Sequence, residues 1–393
     1  MLADFELPIL ASKGTCGLKM KEMHILGFVC ILMLLVVYRT TIFQYQQEEM
    51  ESKFDPLYFA EEAHVAHGSS SSLPHGIVEA SSDLELKPLM GMHISKSKVS
   101  VKGYHNLLAM PVGIEQKDNV DEIIQKFLSE NFTIVLFHYD GNVDEWRDLA
   151  WSKEAIHIVA LHQTKWWFAK RFLHPDIVSI YDYIFLWDED LGVQYFHPAR
   201  YLEIVKSEGL EISQPALDPD SPGIHHRITI RSRTNRLHRR VNQGKGSKRC
   251  SDEREGPPCS GFVEGMAPVF SRYAWRCVWH LIQNDLVHGW GMDMKLGYCA
   301  QGDRTKNVGI VDSEYVVHLG IQSLGGSPPK KASSPRLSPK GRGMDMRVKI
   351  RRQSTYELQI FKERWEEAVK KDKKWVDPYK STPNLNTLST HWW

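Results

Sequence analysis

Three carboxylates follow an apolar run in residues 183–192, YIFLWDEDLG. The aromatic and β-branched residues 183–187 predict a buried strand, and clustered carboxylates at its end need a compensating charge. Asp188 and Asp190 alternate with Glu189, so both aspartates face the same side of an extended segment. Two oxygen donors at this spacing suit Mn²⁺ or Mg²⁺, which also bind phosphate oxygens. The pattern predicts a metal and phosphate site; the alternative is an acidic, solvated turn.

Three further residues follow or precede predicted elements in a way that could bring them to the same place. Asp140 stands in FHYDG after a predicted strand at 133–138, Asp293 stands in WGMD at a predicted helix start, and His318 ends a predicted strand at 315–318. In a doubly wound sheet, strand ends converge on one rim. Histidine is an acceptable additional ligand for Mn²⁺. Taken singly, Asp293 could be a helix N-cap and His318 a core or surface histidine.

Cations and an aromatic residue complete the set of candidates. Lys165 lies in TKWWFAKRF beside Lys170 and Arg171, where two of the three cations could neutralise a diphosphate. The alternative is the solvated face of an amphipathic helix. Trp290, in a Gly-flanked turn, could stack on a sugar ring. The basic stretch 227–249 could bind an acidic polysaccharide, or be a solvated and partly flexible loop.

Strands and helices alternate from Asn106 onward, which predicts an α/β fold with a mainly parallel sheet flanked by helices. The predicted strands are 133–138, 155–161, 183–187, 211–214, 308–311 and 315–318. The predicted helices are 120–128, 165–173, 198–208, 270–286 and 356–371.

Composition and missing motifs narrow the function. The 393 residues are 42% hydrophobic and 25% charged, as in globular proteins, and the net charge of +1 gives no sign of a nucleic-acid partner. The chain lacks the G-x-G-x-x-G, G-x-x-x-x-G-K-[ST] and G-x-S-x-G patterns. Dinucleotide-binding Rossmann proteins, P-loop NTPases and α/β-hydrolases are therefore not indicated.

An apolar segment near the N-terminus predicts a single-pass membrane anchor at 25–45. Lys13, Lys19 and Lys21 precede it, which favours a cytoplasmic tail at 1–24 and a lumenal remainder. No A-x-A cleavage site follows, and the short apolar stretch suits an early secretory membrane. A buried core helix is the alternative. Residues 46–105, polar and rich in serine, are expected to form a stem.

Four of the six cysteines would then be lumenal and oxidised. Cys250 and Cys259 flank a loop that a disulfide could close, which would leave Cys277 with Cys299. Three pairings are possible for four cysteines.

Several long stretches resemble the plant family known as domain of unknown function 707. They include FHYDGNVDEWRDLAWS, QTKWWFAKRFLHPDIVSIYDYIFLWDEDLGV, APVFSRYAWRCVWHLIQNDL and LGYCAQGDRTKNVGIVDSEYVVHLG, and they span 106–325 together with the C-terminal helix and WVDPY. The layout is also similar to GT-A-type glycosyltransferases, which carry an Asp-x-Asp motif after an apolar strand.

The resemblance implies roles for individual residues. Asp188 and Asp190 match the motif that binds the metal and the nucleotide diphosphate, and His318 matches the third metal ligand. Asp293 matches the catalytic base of inverting members, and Asp140 would approach the nucleoside. Glu189 departs from the simplest pattern, so either pair of acids could face the metal.

We therefore expect a Golgi membrane protein with a GT-A-like catalytic domain at 106–325, a disordered basic segment at 326–352 and a C-terminal helix and tail at 353–393. It would transfer a sugar from a nucleotide-sugar to a glycan or polysaccharide acceptor, with Mn²⁺ or Mg²⁺ as cofactor and no nucleic-acid partner. The alternative is a non-catalytic lumenal carbohydrate-binding or scaffold protein that retains the fold.

Overall fold

The computed structural model describes residues 31–42, 72–84, 106–242, 250, 255–321 and 346–380. The chain divides into two compact units, Met1–His67 and Gly68–Trp393. In the first unit the described residues 31–42 form a helix, α1. No helix of the described residues is both long enough and apolar enough to cross a membrane. The rest of the predicted anchor at 25–45 lies outside the described residues.

The described part of the second unit is built on one nine-stranded sheet of mixed direction. Its strand order is β3-β2-β1-β4-β8-β6-β9-β5, with β7 pairing to β9. Parallel pairings join β1 to β2 and β4, β2 to β3, and β6 to β9, while β5, β7 and β8 pair antiparallel with their neighbours. The predicted α/β class with a mainly parallel sheet is therefore confirmed. The strands are β1 Asn106–Val112, β2 Phe132–His138, β3 Ile156–Val159, β4 Tyr183–Leu186, β5 Leu191–Gly192, β6 Ile212–Leu217, β7 Leu237–His238, β8 Val269–Ser271 and β9 Val308–His318.

Helices cover both faces of this sheet. On one face α2 buries Val120, Ile123 and Phe127 at helical spacing against the β1–β4 strands. On the other face two tryptophans of α6, Trp275 and Trp279, are fully buried. These apolar stripes fix which way each strand end points. The helices of this unit are α2 Lys117–Phe127, α3 Lys165–Phe172, α4 Pro175–Val178, α5 Pro198–Ser207, α6 Arg272–Leu281, α7 Asp293–Leu296, α8 Arg304–Asn307 and α9 Met346–Lys371.

Two segments distant in sequence pack together at the edge of this unit. Leu73 and Ile77, from the stretch expected to be a stem, are buried in the same cluster as Phe361 and Trp365 of α9. The turn at 75–77 also contacts the residue that follows α9, since the His75 backbone amide donates to the Asp372 carboxylate at 3.0 Å. Part of the expected stem is thus joined to the globular unit.

The structure corrects the predicted elements in four places. β1 was not predicted, so the strand at 133–138 is the second rather than the first; residues 106–110 and 112 are all buried, and the alternation that marks a half-exposed strand is missing. A single helix over 270–286 is wrong, because Ser271 ends β8 and caps α6 by accepting from the Ala274 amide at 3.0 Å. The strands predicted at 308–311 and 315–318 form a single strand, β9. The helix predicted from Tyr356 begins at Met346.

The structure contains the disulfides Cys250–Cys259 and Cys277–Cys299. This is one of the three pairings that the sequence left open. The second bridge joins α6 to the turn at 297–299 that follows α7, so it connects the second face of the sheet to the segment that carries Asp293.

Candidate functional site

The three carboxylates after β4 are held by the backbone of neighbouring segments. The Asp188 amide donates to the carbonyl of Met266 at 2.8 Å, and the Asp190 carbonyl accepts from the Leu319 amide at 2.9 Å. The segment therefore runs from the loop that precedes β8 to the end of β9. Its position at the carboxyl end of β4 is where open α/β sheets bind ligands.

The three side chains point in two directions. Asp188 Oδ1 lies 2.6 Å from Lys165 Nζ, and Asp190 Oδ2 lies 3.2 Å from His318 Nε2. Glu189 turns the other way and is 3% exposed. It accepts from the Tyr139 hydroxyl and from the Gly113 amide. The two aspartates, and not Glu189, therefore face Lys165 and His318. We call the site around these four side chains the recess.

Glu189 stabilises the backbone segments around the site. Burial raises the pKa of its carboxyl to about 8, while the bonds from Tyr139 and Gly113 oppose the rise. The backbone carbonyl of Glu189 also accepts from Asn119 of α2. These bonds tie the acidic turn to the ends of β1 and β2.

The loop that contains Ser221 and Pro222 fixes the orientation of His318. Its Nδ1 lies 2.8 Å from the Pro222 carbonyl oxygen, so this nitrogen donates and Nε2 faces Asp190. Its backbone amide donates to the Ser221 hydroxyl at 3.1 Å. The hydrogen bond to Asp190 raises the pKa of His318 to about 9, with burial acting against it.

Lys165 lies at the start of α3 and contacts two parts of the recess. Besides Asp188, its ammonium donates to the backbone carbonyl of Gly265. Burial raises the pKa of the Asp188 carboxyl above its ordinary value, and the charge of Lys165 opposes this rise. The lysine therefore balances the aspartate, as it could balance a phosphate group placed there.

A second pair of acids, which we call the loop pair, consists of Glu264 on the loop before β8 and Asp293, the first residue of the short helix α7. The Glu264 carboxylate accepts from the Thr229 hydroxyl at 3.2 Å, and Asp293 Oδ2 lies 4.0 Å from His226 Nε2. Burial raises the pKa of both carboxyls, that of Glu264 to about 7. The charges of Asp293, Asp188 and His318 also act on the pKa of Glu264, so the two acid pairs lie within electrostatic range of each other.

The turn that precedes Asp293 is clamped from two sides. Gly289 and Gly291 have φ of +65° and +93°, and a Cβ at these positions would lie 2.5 Å from Trp166 and 2.6 Å from Leu358 of α9. Only glycine combines this backbone with so close an approach. Trp290 between them is 44% exposed, which leaves its ring available for stacking.

A buried acid of α9 completes the clamp. Glu357 is 2% exposed and binds the preceding residue of the turn, His288, through both carboxylate oxygens. The distances are 2.9 Å to the His288 amide and 3.0 Å to Nδ1. The C-terminal helix thereby helps to hold the turn that leads into Asp293.

Asp140 lies at the end of β2, but the contacts it makes are with its own edge of the sheet. Its Oδ2 accepts from the Ile114 amide at 2.8 Å and its Oδ1 from the Asn142 amide at 3.0 Å. It joins the loop after β1 to the turn after β2. The structure does not bring it into contact with Asp188 or Asp190.

Asp188, Asp190 and His318 offer the types of donor atom that bind a hard divalent cation, and the arrangement of these atoms fits such a cation in part. Asp190 Oδ2 and His318 Nε2 lie 3.2 Å apart, the spacing of neighbouring ligands around one cation. The Pro222 contact on Nδ1 is the outer hydrogen bond that ligating histidines usually make. Asp188 is turned to Lys165 instead. Among the described residues, no group of three or more His, Cys, Asp or Glu side chains is arranged to hold a metal ion.

Sequence reasoning missed three residues of the recess, Glu264, His226 and Glu357. Glu264 stands inside the apolar stretch GFVEGMAPVF, and this position is a signal for a site residue, because acids are rarely buried unless they are paired. His226 and Glu357 carried no such signal, since their partners lie 67 and 69 positions away.

Comparison with known families assigns the chain. Residues 64–371 match the family described as "Protein of unknown function (DUF707)". The chain belongs to the DUF707 family. The resemblance drawn from the sequence motifs is therefore confirmed at the level of the family, and the match extends through α9. No curated protein matches the chain.

Two solved bacterial structures show a partial likeness to this DUF707 chain. S. aureus TarS 1-349 has a TM-score of 0.33 and 7% sequence identity, and the match covers 54% of this chain and 59% of that one. The glycosyltransferase GlyE of Streptococcus pneumoniae TIGR4 has a TM-score of 0.32 and 12% identity, over 71% of this chain and 66% of that one. The chain spans less than two thirds of either bacterial chain. Neither likeness bears on the activity of this protein.

Proposed function

We propose that this DUF707 protein is a glycosyltransferase that transfers a sugar from a nucleotide-sugar donor to a glycan or polysaccharide acceptor. The observation that carries the proposal is one recess with two acid pairs of different kinds. Asp188 and Asp190 follow a buried strand and are paired with cations, while Glu264 and Asp293 lie on the loop before β8 and at the start of α7 and have raised pKa values. Sugar transfer needs both kinds, because one side balances the diphosphate and the other moves a proton.

On the donor side, the proposal assigns the balance of the diphosphate charge to Lys165 and to a divalent cation that Asp188, Asp190 and His318 would hold. Lys165 would turn from Asp188 to a phosphate oxygen of the bound nucleotide, since both are anionic partners at the same place. Asp188, Asp190 and His318 would hold Mn²⁺ or Mg²⁺, which, when bound, offsets the charge of the departing diphosphate. Asp140, at the neighbouring strand end, is proposed to approach the nucleoside.

On the acceptor side, Asp293 is proposed as the general base. The acceptor hydroxyl would lose its proton to Asp293 while its oxygen forms a bond to the anomeric carbon and the bond from that carbon to the diphosphate breaks. Burial raises the pKa of Asp293, which makes its carboxylate a stronger base than an exposed one. Trp290 is proposed to stack on a sugar ring beside it.

The rival is a non-catalytic carbohydrate-binding or scaffold protein that keeps this fold. One observation favours it: Asp188 and Asp190 already have cationic partners within the chain, so they do not require a ligand. The two proposals differ in turnover, which a scaffold lacks.

The test is a screen of nucleotide-sugars for hydrolysis in the presence and absence of Mn²⁺. We expect one donor to be hydrolysed by the wild type and by Asp148→Asn, an exposed acid that pairs with Lys117, and not by Asp293→Asn. Absence of hydrolysis with every donor would support the rival, whereas equal hydrolysis by all three proteins would show that Asp293 is not the base.

We further propose that the protein is a single-pass type II Golgi membrane protein, anchored by residues 25–45 with its catalytic unit in the lumen. The two disulfides support an oxidising compartment. Protease treatment of sealed microsomes should leave the unit from Gly68 onward intact. Complete digestion of that unit would place it on the cytoplasmic side.

A further inference from the structure

An arginine-rich loop borders the recess. Residues 227–242 contain six arginines and neither Asp nor Glu, in a chain with a net charge of only +1. The side chains of Arg233 and Arg236 are exposed to solvent. Like charges concentrated in this way repel one another, so the loop needs a structural support.

The buried carboxylate of Asp312 on β9 supplies that support. Asp312 is fully buried and accepts from the Ser232 amide at 2.6 Å and from His238 Nδ1 at 2.8 Å. Its backbone carbonyl accepts from the Arg231 guanidinium at 3.1 Å, and its amide donates to the Arg236 carbonyl at 3.0 Å. The described part of the basic stretch is therefore held against β9 by hydrogen bonds.

An aromatic stack lies beside these arginines. The Arg231 guanidinium lies 3.7 Å from the centre of the Tyr315 ring. The ring of Tyr195 stacks on Tyr315 at 4.7 Å between centroids and 12° between planes, and Tyr195 is 51% exposed. An exposed ring next to guanidinium groups offers a sugar both a stacking face and partners for its anionic groups.

The same loop reaches the recess at its other end. Pro222 orients His318, His226 faces Asp293, and Thr229 binds Glu264. Two residues after Thr229 the chain arrives at Arg231 and the stack. One continuous segment therefore connects the acid pair assigned to the acceptor with the arginines.

We propose that Tyr195, Tyr315, Arg231, Arg233 and Arg236 form a binding surface for an acidic polysaccharide, whose uronate carboxylates meet the arginines while a sugar ring stacks on Tyr195. This deepens the proposed function, on which it rests, by naming an anionic glycan as the acceptor class. The recess itself is rich in carboxylates, so an anionic acceptor needs cations at its border to approach.

The test measures binding of the full chain to polygalacturonate, with neutral dextran and poly(U) as comparison polymers and no nucleotide present. We expect binding to polygalacturonate that weakens when NaCl is raised from about 0.05 M to about 0.5 M, and no binding to dextran. Arg233→Gln/Arg236→Gln should weaken it at least about tenfold, and Tyr195→Ala about fivefold. The matched control, Arg351→Gln/Arg352→Gln, removes two exposed arginines of α9 and should change binding by less than about twofold.

Three results would overturn the proposal. They are no binding of polygalacturonate by the wild type, an equal loss in the control double variant, or equal binding of poly(U) with the same dependence on Arg233 and Arg236. Asp190→Asn separates this proposal from the proposed function, because it should keep polygalacturonate binding while losing metal-dependent nucleotide binding. Polysaccharide binding without any turnover would leave the surface valid and the glycosyltransferase proposal refuted.

Discussion

The two acid pairs of the recess differ in how the fold holds them. Asp188 and Asp190 lie at strand ends, each with a cation as its closest partner, at 2.6 Å and 3.2 Å. Glu264 lies on the loop before β8, with a hydroxyl at 3.2 Å, and Asp293 lies at the start of α7, with an imidazole at 4.0 Å. The negative charges of the first pair are neutralised by neighbouring cations, which suits carboxylates that remain ionised. The charges of the second pair are less well neutralised, and burial raises the pKa of both its carboxyls, which suits groups that take up and release protons.

The largest effect should come from the loop pair. Asp293→Asn removes the proposed base while keeping its shape, so turnover of the donor found by the screen should fall at least about 1000-fold. Nucleotide affinity should stay within about twofold, because the strand-end pair is untouched. Steady-state kinetics and calorimetry on the wild type, Asp293→Asn and Asp148→Asn measure both quantities. Turnover by Asp293→Asn at the rate of the control would show that the base lies elsewhere.

The second effect is a pH dependence of stability that arises from Glu264. Burial raises its pKa from 4.5 to about 7, and the charges of Asp293 and Asp188 add to the rise while Thr229 and His318 oppose it. A carboxyl with a raised pKa in the folded state stabilises the fold when protonated, so this contribution is present below about pH 4.5 and lost as pH rises through about 7. The loss amounts to roughly 3 kcal/mol at most.

Glu264→Gln removes this titration. The free energy of unfolding of the variant relative to the wild type should therefore increase as pH rises from about 5 to about 8. Urea unfolding in the presence of a chelator, at several pH values, measures the difference. A difference that does not change with pH, or that decreases, would contradict a raised pKa at Glu264.

The third effect concerns the clamp on the loop pair. Glu357→Gln weakens the bonds to the His288 amide and imidazole and should lower the free energy of unfolding by about 2 kcal/mol. Glu363→Gln, an exposed position on the same helix, is the matched control and should cost less than about 0.5 kcal/mol. Nucleotide affinity should be unchanged in both, since α9 supports the loop pair. Equal stability of the two variants would show that the Glu357–His288 contact contributes nothing.

The same division explains what the sequence could predict. The strand before Asp188 and the strand before Asp140 were predicted because each is a local apolar run that ends in acids. Asp188, Asp190 and His318 were grouped because strand ends of such sheets meet at one edge, and the structure places them together. Asp140 obeys the same rule of position, yet its side chain binds the Ile114 amide, a contact that position alone does not predict.

The loop pair could not be assembled in this way. Glu264 and Asp293 meet because β8 inserts antiparallel between β4 and β6 and because α9 returns to the turn at 288–292. Two of the three residues of β8 lie in the stretch 270–286, whose pattern is helical, and the partners of His288 and His226 depend on contacts between distant segments. Patterns that repeat every two or 3.6 residues contain no information on such contacts.

The central claim, that the strand-end pair binds a nucleotide together with a divalent cation, is tested most directly by calorimetry of UDP and GDP binding with and without Mn²⁺. Asp190→Asn keeps the shape of the side chain but removes one charge from the proposed ligands, and Asp148→Asn serves as the control. We predict that the wild type and the control bind one nucleotide more tightly in Mn²⁺, and that Asp190→Asn binds it at least tenfold more weakly, about 1.4 kcal/mol. Nucleotide binding that is unaffected by both Mn²⁺ and the substitution, or no binding at all, would contradict the account.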